Sequence, residues 1–427
     1  MQTFSSALEA ADWIQGKRYA SAKNGLDNMR ALLDALDHPE RQLTCIHIAG
    51  TNGKGSVSSM TERALRACGK RTGLYTSPYL TKYNDRMRIN GAAMPDEALI
   101  CLTERLASVT EALVARGVCP TAFELGTALA FLYFAEEQVD YAIIEVGIGG
   151  RLDSTNVITP VVSAIAAIGL DHTALLGDTL PAIASEKAGI IKPGVPCVAT
   201  QQDESVMRVF RETCARNHSP FAAVPRLQVT HRDAYGSRFL IDDCEVEIHL
   251  PGDYQVENAA LSFAILRALN DLGHALPLPA ILEGFRLARW PARLTWLDNV
   301  LIDGAHNPQG AGALAHYIEE FFSETPKVLV TAMMQDKAFA DCAALYARAF
   351  DRVICTQIDY YRCATAQMMR DAFAAAGRDS AVIPNIPEAI DAARAEAGSD
   401  GIVVIAGSLY LAGDAISYLR PALGDVL

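Results

Sequence analysis

The stretch Gly50-Thr51-Asn52-Gly53-Lys54-Gly55-Ser56 decides the fold. It follows a β-rich apolar run at 43–49 and leads into a helical pattern that continues to Cys68. Its glycines let successive backbone N–H groups turn toward one point, and the helix behind them adds the positive end of its dipole. Strand, glycine loop and helix in this order predict a phosphate-binding turn with a triphosphate as its natural occupant. Lys54 would neutralise β- and γ-phosphate oxygens, and the Ser56 hydroxyl could reach a magnesium ion. The strict G-x-x-x-x-G-K-S/T spacing is broken, because Ile48 stands where the first glycine belongs and Gly55 separates Lys54 from Ser56. On these residues alone, a glycine-rich turn that holds no ligand stays open.

Working outward, short apolar runs at 72–76, 141–146, 161–168 and 196–200 alternate with helical stretches such as 121–137, the pattern of a parallel sheet covered by helices. From 227 to 250 the residues alternate in strand fashion around a turn at Tyr235-Gly236, which predicts a small antiparallel patch. Helical patterns follow at 254–272 and 278–286, and Arg289-Trp290-Pro291-Ala292-Arg293 then reads as a linker. A second series of strands and helices starts after it, with strands near 300–302, 328–331, 352–356, 381–383 and 402–405. The expected architecture is α/β: a P-loop parallel-sheet domain at 1–290, followed by a smaller Rossmann-like domain at 291–427.

The 427 residues carry 37 Lys plus Arg against 50 Asp plus Glu, a net charge of −13. That balance argues against a nucleic-acid binder, which needs a basic face for phosphates, while a few placed cations and amides can still hold small anions. Ten cysteines are scattered without a CxxC pair or zinc spacing, as suits a reducing cytoplasm. No apolar run approaches the roughly 20 residues that span a bilayer, and residues 1–5 have no leader-like pattern. The expectation is a soluble cytoplasmic protein with no membrane partner.

Glu145 ends the apolar run at 141–144 and enters Val146-Gly147-Ile148-Gly149-Gly150-Arg151. Ligands of open parallel sheets lie beyond the carboxyl ends of the strands, so this carboxylate could hold Mg²⁺ facing the phosphates. A solvated strand-end acid is the alternative. Asp171-His172 follows the run at 161–168 in the same topological position, where a neutral imidazole is an unusual but acceptable magnesium ligand. Lys187, in Ser185-Glu186-Lys187-Ala188-Gly189, reads by itself as a helix-end cation. In Asp303-Gly304-Ala305-His306-Asn307-Pro308, Asp303 could accept from a ribose and His306 could border a base. An Asx-type turn with Asn307-Pro308 opening a helix is equally open.

Together these pieces resemble the ATP-dependent Mur ligase superfamily, and within it the folylpolyglutamate synthase and dihydrofolate synthase family. The resemblance rests on HIAGTNGKGS (47–56), GLYTSP (73–78), FELGT (123–127), EVGIGGRLDSTN (145–156), LDHTALLG (170–177), SEKAGIIKPG (185–194), WPARL (290–294), DGAHNP (303–308) and GSLYLAG (407–413). Gly55 after Lys54 favours the folate branch over the peptidoglycan-building one. By this resemblance Thr51, Asn52, Gly53 and Lys54 hold ATP, with Asn258, Arg293 and Asp303 as further nucleotide contacts; Gly55, Ser56 and His306 join them as ATP-binding candidates by their places in the two turns. Ser77, Glu145 and His172 match magnesium-associated residues, and Ser56 is a further candidate. Lys187 matches a lysine that is carbamylated in the family and so helps hold a second ion. Phe123, Leu152, Asp153 and Ser154 match pteroate-binding positions, and Gly25-Leu26-Asp27 resembles the loop covering the pterin. Tyr79 stands where the family usually has His, and Asp27-Asn28 replaces its usual Glu-Arg.

The implied activity is amide ligation, with Lys54, Lys187, His172 and Arg293 as the catalytic group. ATP would phosphorylate a folate carboxylate, and the amino group of L-glutamate would attack the acyl phosphate. The resemblance also implies two Mg²⁺ ions, K⁺ as a further candidate, a reduced folate or dihydropteroate as acyl substrate, and a monomer. Dihydrofolate synthase activity alone or alongside, another Mur-type ligase using a non-folate acid, and a nucleotide-binding regulator without ligase activity are the alternatives.

Overall fold

The computed structural model describes residues 2–17, 25–225, 227–241 and 244–420. Among these, the first strands are β1 (Cys45–Ala49), β2 (Thr72–Tyr75), β3 (Met87–Ile89), β4 (Ala92–Ala93), β5 (Tyr141–Glu145), β6 (Val162–Ile165), β7 (Cys197–Thr200) and β8 (Phe221–Val224). They make one sheet in the order β4-β3-β2-β5-β1-β6-β7-β8. From β2 to β8 along that order the neighbours are parallel, and β3 and β4 extend the edge in antiparallel fashion. All residues of β1 and β5 are buried, which is why both read as continuous apolar runs rather than alternating ones.

The covering helices start where the sequence supplies caps. The helix Ala122–Glu136 opens with a capping box, the Thr121 hydroxyl accepting from the Glu124 N–H while the Glu124 side chain accepts from the Thr121 N–H. The Thr179 hydroxyl caps the helix Leu180–Lys187 by accepting the Ala182 N–H, without a reciprocal bond, and the far end of that short helix delivers Lys187. Helices Ala7–Gln15, Asp27–Asp34 and Asp96–Val114 add Ile14, Leu32 and Leu106 to a core shared with Phe131 of Ala122–Glu136 and Ile144 of β5. On the helix Leu278–Leu287, a Cβ at Gly284 would lie 2.4 Å from the Cα of Ala64, so this helix meets Lys54–Ala67 backbone to backbone.

The stretch expected to be an antiparallel patch forms β9 (Val229–Asp233), β10 (Gly236–Ile241) and β11 (Cys244–Ile248), paired in the order β11-β10-β9. The chain divides into two compact units, one of Met1–Val229, Phe239–Ile248 and Tyr254–Ala288, the other of Thr230–Arg238, His249–Asp253 and Arg289–Leu427. The second unit carries β12 (Thr295–Leu297), β13 (Val300–Ile302), β14 (Lys327–Thr331), β15 (Arg352–Cys355), β16 (Ala381–Val382) and β17 (Ile402–Ala406), in the order β12-β13-β17-β14-β15-β16. Only β12 is antiparallel among these described strands, an edge on an otherwise parallel sheet. Among the described residues no helix is long and apolar enough to cross a membrane.

Candidate active site

The phosphate loop leaves β1 at Gly50 and enters the helix Lys54–Ala67 through Gly53, whose φ of 86° lies in the left-handed region. No side chain caps this helix. A Cβ at Gly53 would lie 2.3 Å from Asn258 Oδ1, so glycine is required both by the backbone angle and by a close neighbour. Asn258 Nδ2 donates to Gln255 Oε1 at 2.9 Å, and Gln255 Nε2 donates to Ser56 Oγ at 3.2 Å. The Asn258 proposed for ATP therefore stands directly against the loop, braced by a buried glutamine. Thr51 Oγ1–H donates to the Gly169 carbonyl at 3.1 Å, and the Thr51 and Asn52 amides both donate to the Ala167 carbonyl. These bonds seat the loop on the segment that follows β6.

Two lysines converge on one oxygen. The Gly50 carbonyl accepts from Lys54 Nζ at 3.0 Å and from Lys187 Nζ at 2.9 Å. Burial holds the Lys187 amine far below the usual lysine range, at about 7; the Lys54 charge lowers it further, while Asp171 and Asp153 work the other way. A half-neutral amine near physiological pH is the form that can react with CO₂.

Glu145, at the end of β5, is buried and accepts the Ser77 N–H at 3.3 Å. Asp171 and His172 follow β6; the His172 backbone is left-handed, with its N–H on Asp171 Oδ1 at 2.9 Å, and it opens the one-turn helix Thr173–Leu176. The neighbouring strands β5, β1 and β6 thus lead to Glu145, Lys54 and His172 at or just beyond their carboxyl ends, as the parallel topology requires.

On the far side of Glu145, a Cβ at Gly147 would meet Phe123 Cζ at 2.4 Å. The Arg86 guanidinium lies over Tyr83 and Phe123, 5.3 and 5.9 Å from their centroids. Tyr79 extends this row, 6.0 Å from the Tyr83 ring, and its hydroxyl donates to Gln15 Oε1. Arg86, Tyr83 and Gln255 were not singled out by their sequence context; nothing local separates them from ordinary polar or core residues. Asp153 is buried and accepts from the Ile148 N–H, the Thr155 N–H and the Thr155 hydroxyl, capping the 3₁₀ turn Ser154–Val157. Burial raises its carboxyl, and those hydrogen bonds oppose the rise. Leu152 is 64% exposed, an apolar surface beside the Gly25 turn, where a Cβ would stand 3.9 Å from its Cδ2. Leu26 is buried, while Asp27 begins the helix Asp27–Asp34 and pairs with Arg30 at 3.1 Å.

In the second unit Asp303 follows β13. Its Oδ2 accepts the Leu294 N–H at 2.9 Å and its Oδ1 the Ala305 N–H at 2.8 Å. Burial raises this carboxyl against the opposing charge of Arg293. Ala292 and Leu294 both have positive φ, 57° and 46°, so Arg293 is held between two strained residues that Asp303 and the Gly304 amide pin in place. The proline segment at 289–293 is thus a fixed turn in its own unit. His306 Nδ1–H donates to the Gly304 carbonyl at 2.9 Å.

Residues 48–266 match the Mur ligase middle domain, and residues 292–409 match the Mur ligase, glutamate ligase domain. The dihydrofolate synthase/folylpolyglutamate synthase of Bacillus subtilis (strain 168) is 34% identical over 426 residues, covering 96% of this chain and 98% of its own. The structure of Mycobacterium tuberculosis folylpolyglutamate synthase complexed with ADP superposes with a TM-score of 0.88 at 30% identity, covering 97% of this chain and 98% of that one. E. coli FolC in complex with DHPP and ADP gives a TM-score of 0.87 at 26% identity, covering 99% of each. With the loop, the strand-end residues and both domain matches in the same order along the chain, this protein belongs to the folylpolyglutamate synthase/dihydrofolate synthase family of ATP-dependent amide ligases, within the Mur ligases.

Proposed function

We propose that this chain is a cytoplasmic, monomeric enzyme that joins L-glutamate to folates, acting both on dihydropteroate and on tetrahydrofolate. The convergence of Lys54 and Lys187 on the carbonyl of Gly50 carries this reading, because it puts a fixed cation and a buried, half-neutral amine at the mouth of an uncapped helix. Phosphoryl transfer from ATP needs the first, and carbamate formation needs the second. The row of Tyr79, Tyr83, Arg86 and Phe123, with the exposed Leu152 near Gly25, offers aromatic and apolar groups with one cation for a pteroate.

In the proposed reaction the folate carboxylate attacks the γ-phosphorus of ATP and releases ADP. The glutamate amine then attacks the acyl phosphate, loses a proton and expels phosphate. Lys54 and the amides of the loop stabilise charge on the phosphates, and Arg293, fixed by Asp303, supplies a second cation. Glu145 carries hard carboxylate oxygens beside Ser77, the donor chemistry that suits Mg²⁺. With His172, Ser56 and a carbamylated Lys187 these residues would hold the metal, which neutralises phosphate charge when bound. We leave K⁺ unassigned. A chain of net charge −13 recruits ATP, glutamate and folate, all anions, through such local devices rather than through its overall field.

Glutamate-dependent phosphate release from ATP tests the reading, run separately with dihydropteroate, tetrahydrofolate and a monoglutamylated folate. Release with both dihydropteroate and tetrahydrofolate is expected. Release with only one removes bifunctionality, and release with none removes the folate assignment.

A further inference from the structure

His47 sits in the middle of β1, fully buried, opposite Ile144 of β5 and Ser163 of β6. It lies three residues before the phosphate loop, yet it makes no bond to that loop. Its Nε2 is 2.9 Å from the hydroxyl of Thr155, and that hydroxyl donates to Asp153 Oδ1. Since the Thr155 proton goes to Asp153, the Thr155 oxygen must accept from His47, which fixes the imidazole as the Nε2–H tautomer. Its Nδ1 is then a bare lone pair, and this atom is buried with no hydrogen-bond partner among the described residues. Tautomer, direction and orphan atom agree.

The chain of bonds has one outlet. Both oxygens of Asp153 are held: Oδ1 by the hydroxyl and N–H of Thr155, Oδ2 by the N–H of Ile148. Ile148 belongs to the Gly147–Asp153 turn, whose Gly147 packs against Phe123 and whose Leu152 faces outward. His47 therefore couples the strand that carries the phosphate loop to the turn proposed to receive the pteroate. A donor in this position matters because a carboxylate that must accept several N–H groups is oriented only when its hydroxyl neighbour is itself oriented. Without the Nε2–H, the Thr155 oxygen loses the donor that holds it, and the hydroxyl can rotate away from Asp153.

We propose that His47 is a positioning residue for the acyl substrate: through Thr155 and Asp153 it sets the 147–153 turn relative to the phosphate loop. The substrate part of this inference rests on the folate reading above; the positioning part does not.

The test uses the full-length enzyme with His47→Phe, His47→Gln and Thr155→Val. Phenylalanine keeps the ring volume and removes the donor, whereas glutamine returns an N–H near the Nε2 position. His47→Phe and Thr155→Val should each raise KM for the pteroate substrate about tenfold while KM for ATP stays within about twofold, and His47→Gln should recover most of the loss. Amide hydrogen exchange at 147–153 should quicken in the first two variants and return in the third. If His47→Phe does not fold, Thr155→Val alone decides by the same two readouts. Equal rises in both KM values, or no recovery with glutamine, overturn the proposal. Unchanged exchange at 147–153 overturns it even where no pteroate turns over, so that failure of the folate reading is seen separately, in the wild-type assay.

Discussion

The turns at 50–56 and 303–308 each follow a parallel strand and lead into a helix, and they treat that helix's N-terminus in opposite ways. At the first, Gly53 occupies the cap position and no side chain takes the opening N–H groups. At the second, Asn307 Oδ1 accepts the Gly310 N–H at 2.8 Å, Pro308 opens the helix, and both carboxylate oxygens of Asp303 are engaged by Leu294 and Ala305. The two motifs look equally polar in sequence. One leaves its helix end open, as an anion site requires; the other closes its own backbone and braces an arginine within it.

The sharpest break of that comparison concerns Lys187, which only the first turn possesses. Lys187→Ala is expected to abolish turnover, by at least about a thousandfold, with ATP affinity within a few-fold by calorimetry. Activity of the native enzyme in bicarbonate-equilibrated buffer should climb as pH rises through about 7, since below that value Lys187 is an ammonium and cannot take up CO₂. Full activity of Lys187→Ala, or a pH profile indifferent to bicarbonate, would separate the lysine from the chemistry.

Next in size is a glycine pair. Gly53→Ala puts a methyl 2.3 Å from Asn258 Oδ1 at a positive φ and should weaken ATP binding by about a hundredfold. Gly304→Ala meets the ends of movable side chains, Leu409 Cδ2 at 2.4 Å and Arg293 Nη1 at 2.5 Å, and should cost less than about tenfold in kcat. Equal losses would mean that the second turn is as tightly matched to its ligand as the first. The smallest effect belongs to the cap: Asn307→Ala should lower stability by about 1 kcal/mol in denaturant melts while leaving KM for ATP nearly unchanged. A large KM change would show that the cap itself addresses nucleotide.

The alternation of apolar runs with helical stretches made both parallel sheets legible, because strands buried on two faces, such as Tyr141–Glu145, announce themselves without a partner. The edge β3–β4 was less visible. Its strands are three and two residues long, and its signal lies in the turn: Asn90 and Gly91 have φ of 51° and 82°, the positive pair of a tight hairpin. Lys54 and Glu145 could be singled out because each sits at the end of a recognisable element, whereas Lys187 reads by itself as a helix-end cation and is named through the family resemblance. Arg86, Gln255 and His47 could not, since their roles arise from contacts far along the chain, as with His47 and Thr155, 108 residues apart. Asp153 shows the converse. The sequence marks the residue, but only the structure reveals that its oxygens hold their own turn.

The contact of Gly284 with Ala64 has a consequence for how mutations travel. The helix Lys54–Ala67 is a rigid rod whose first turn is the phosphate loop, and Gly284 touches it near the opposite end, backbone against backbone. Side chains can absorb a misfit by changing rotamer; two main chains in contact cannot. A single methyl added at Gly284 must therefore tilt or displace the rod, and the displacement arrives at the loop, ten residues from Ala64. If the loop holds phosphate as proposed, a substitution at position 284 should reach nucleotide affinity through this helix, without touching the loop itself.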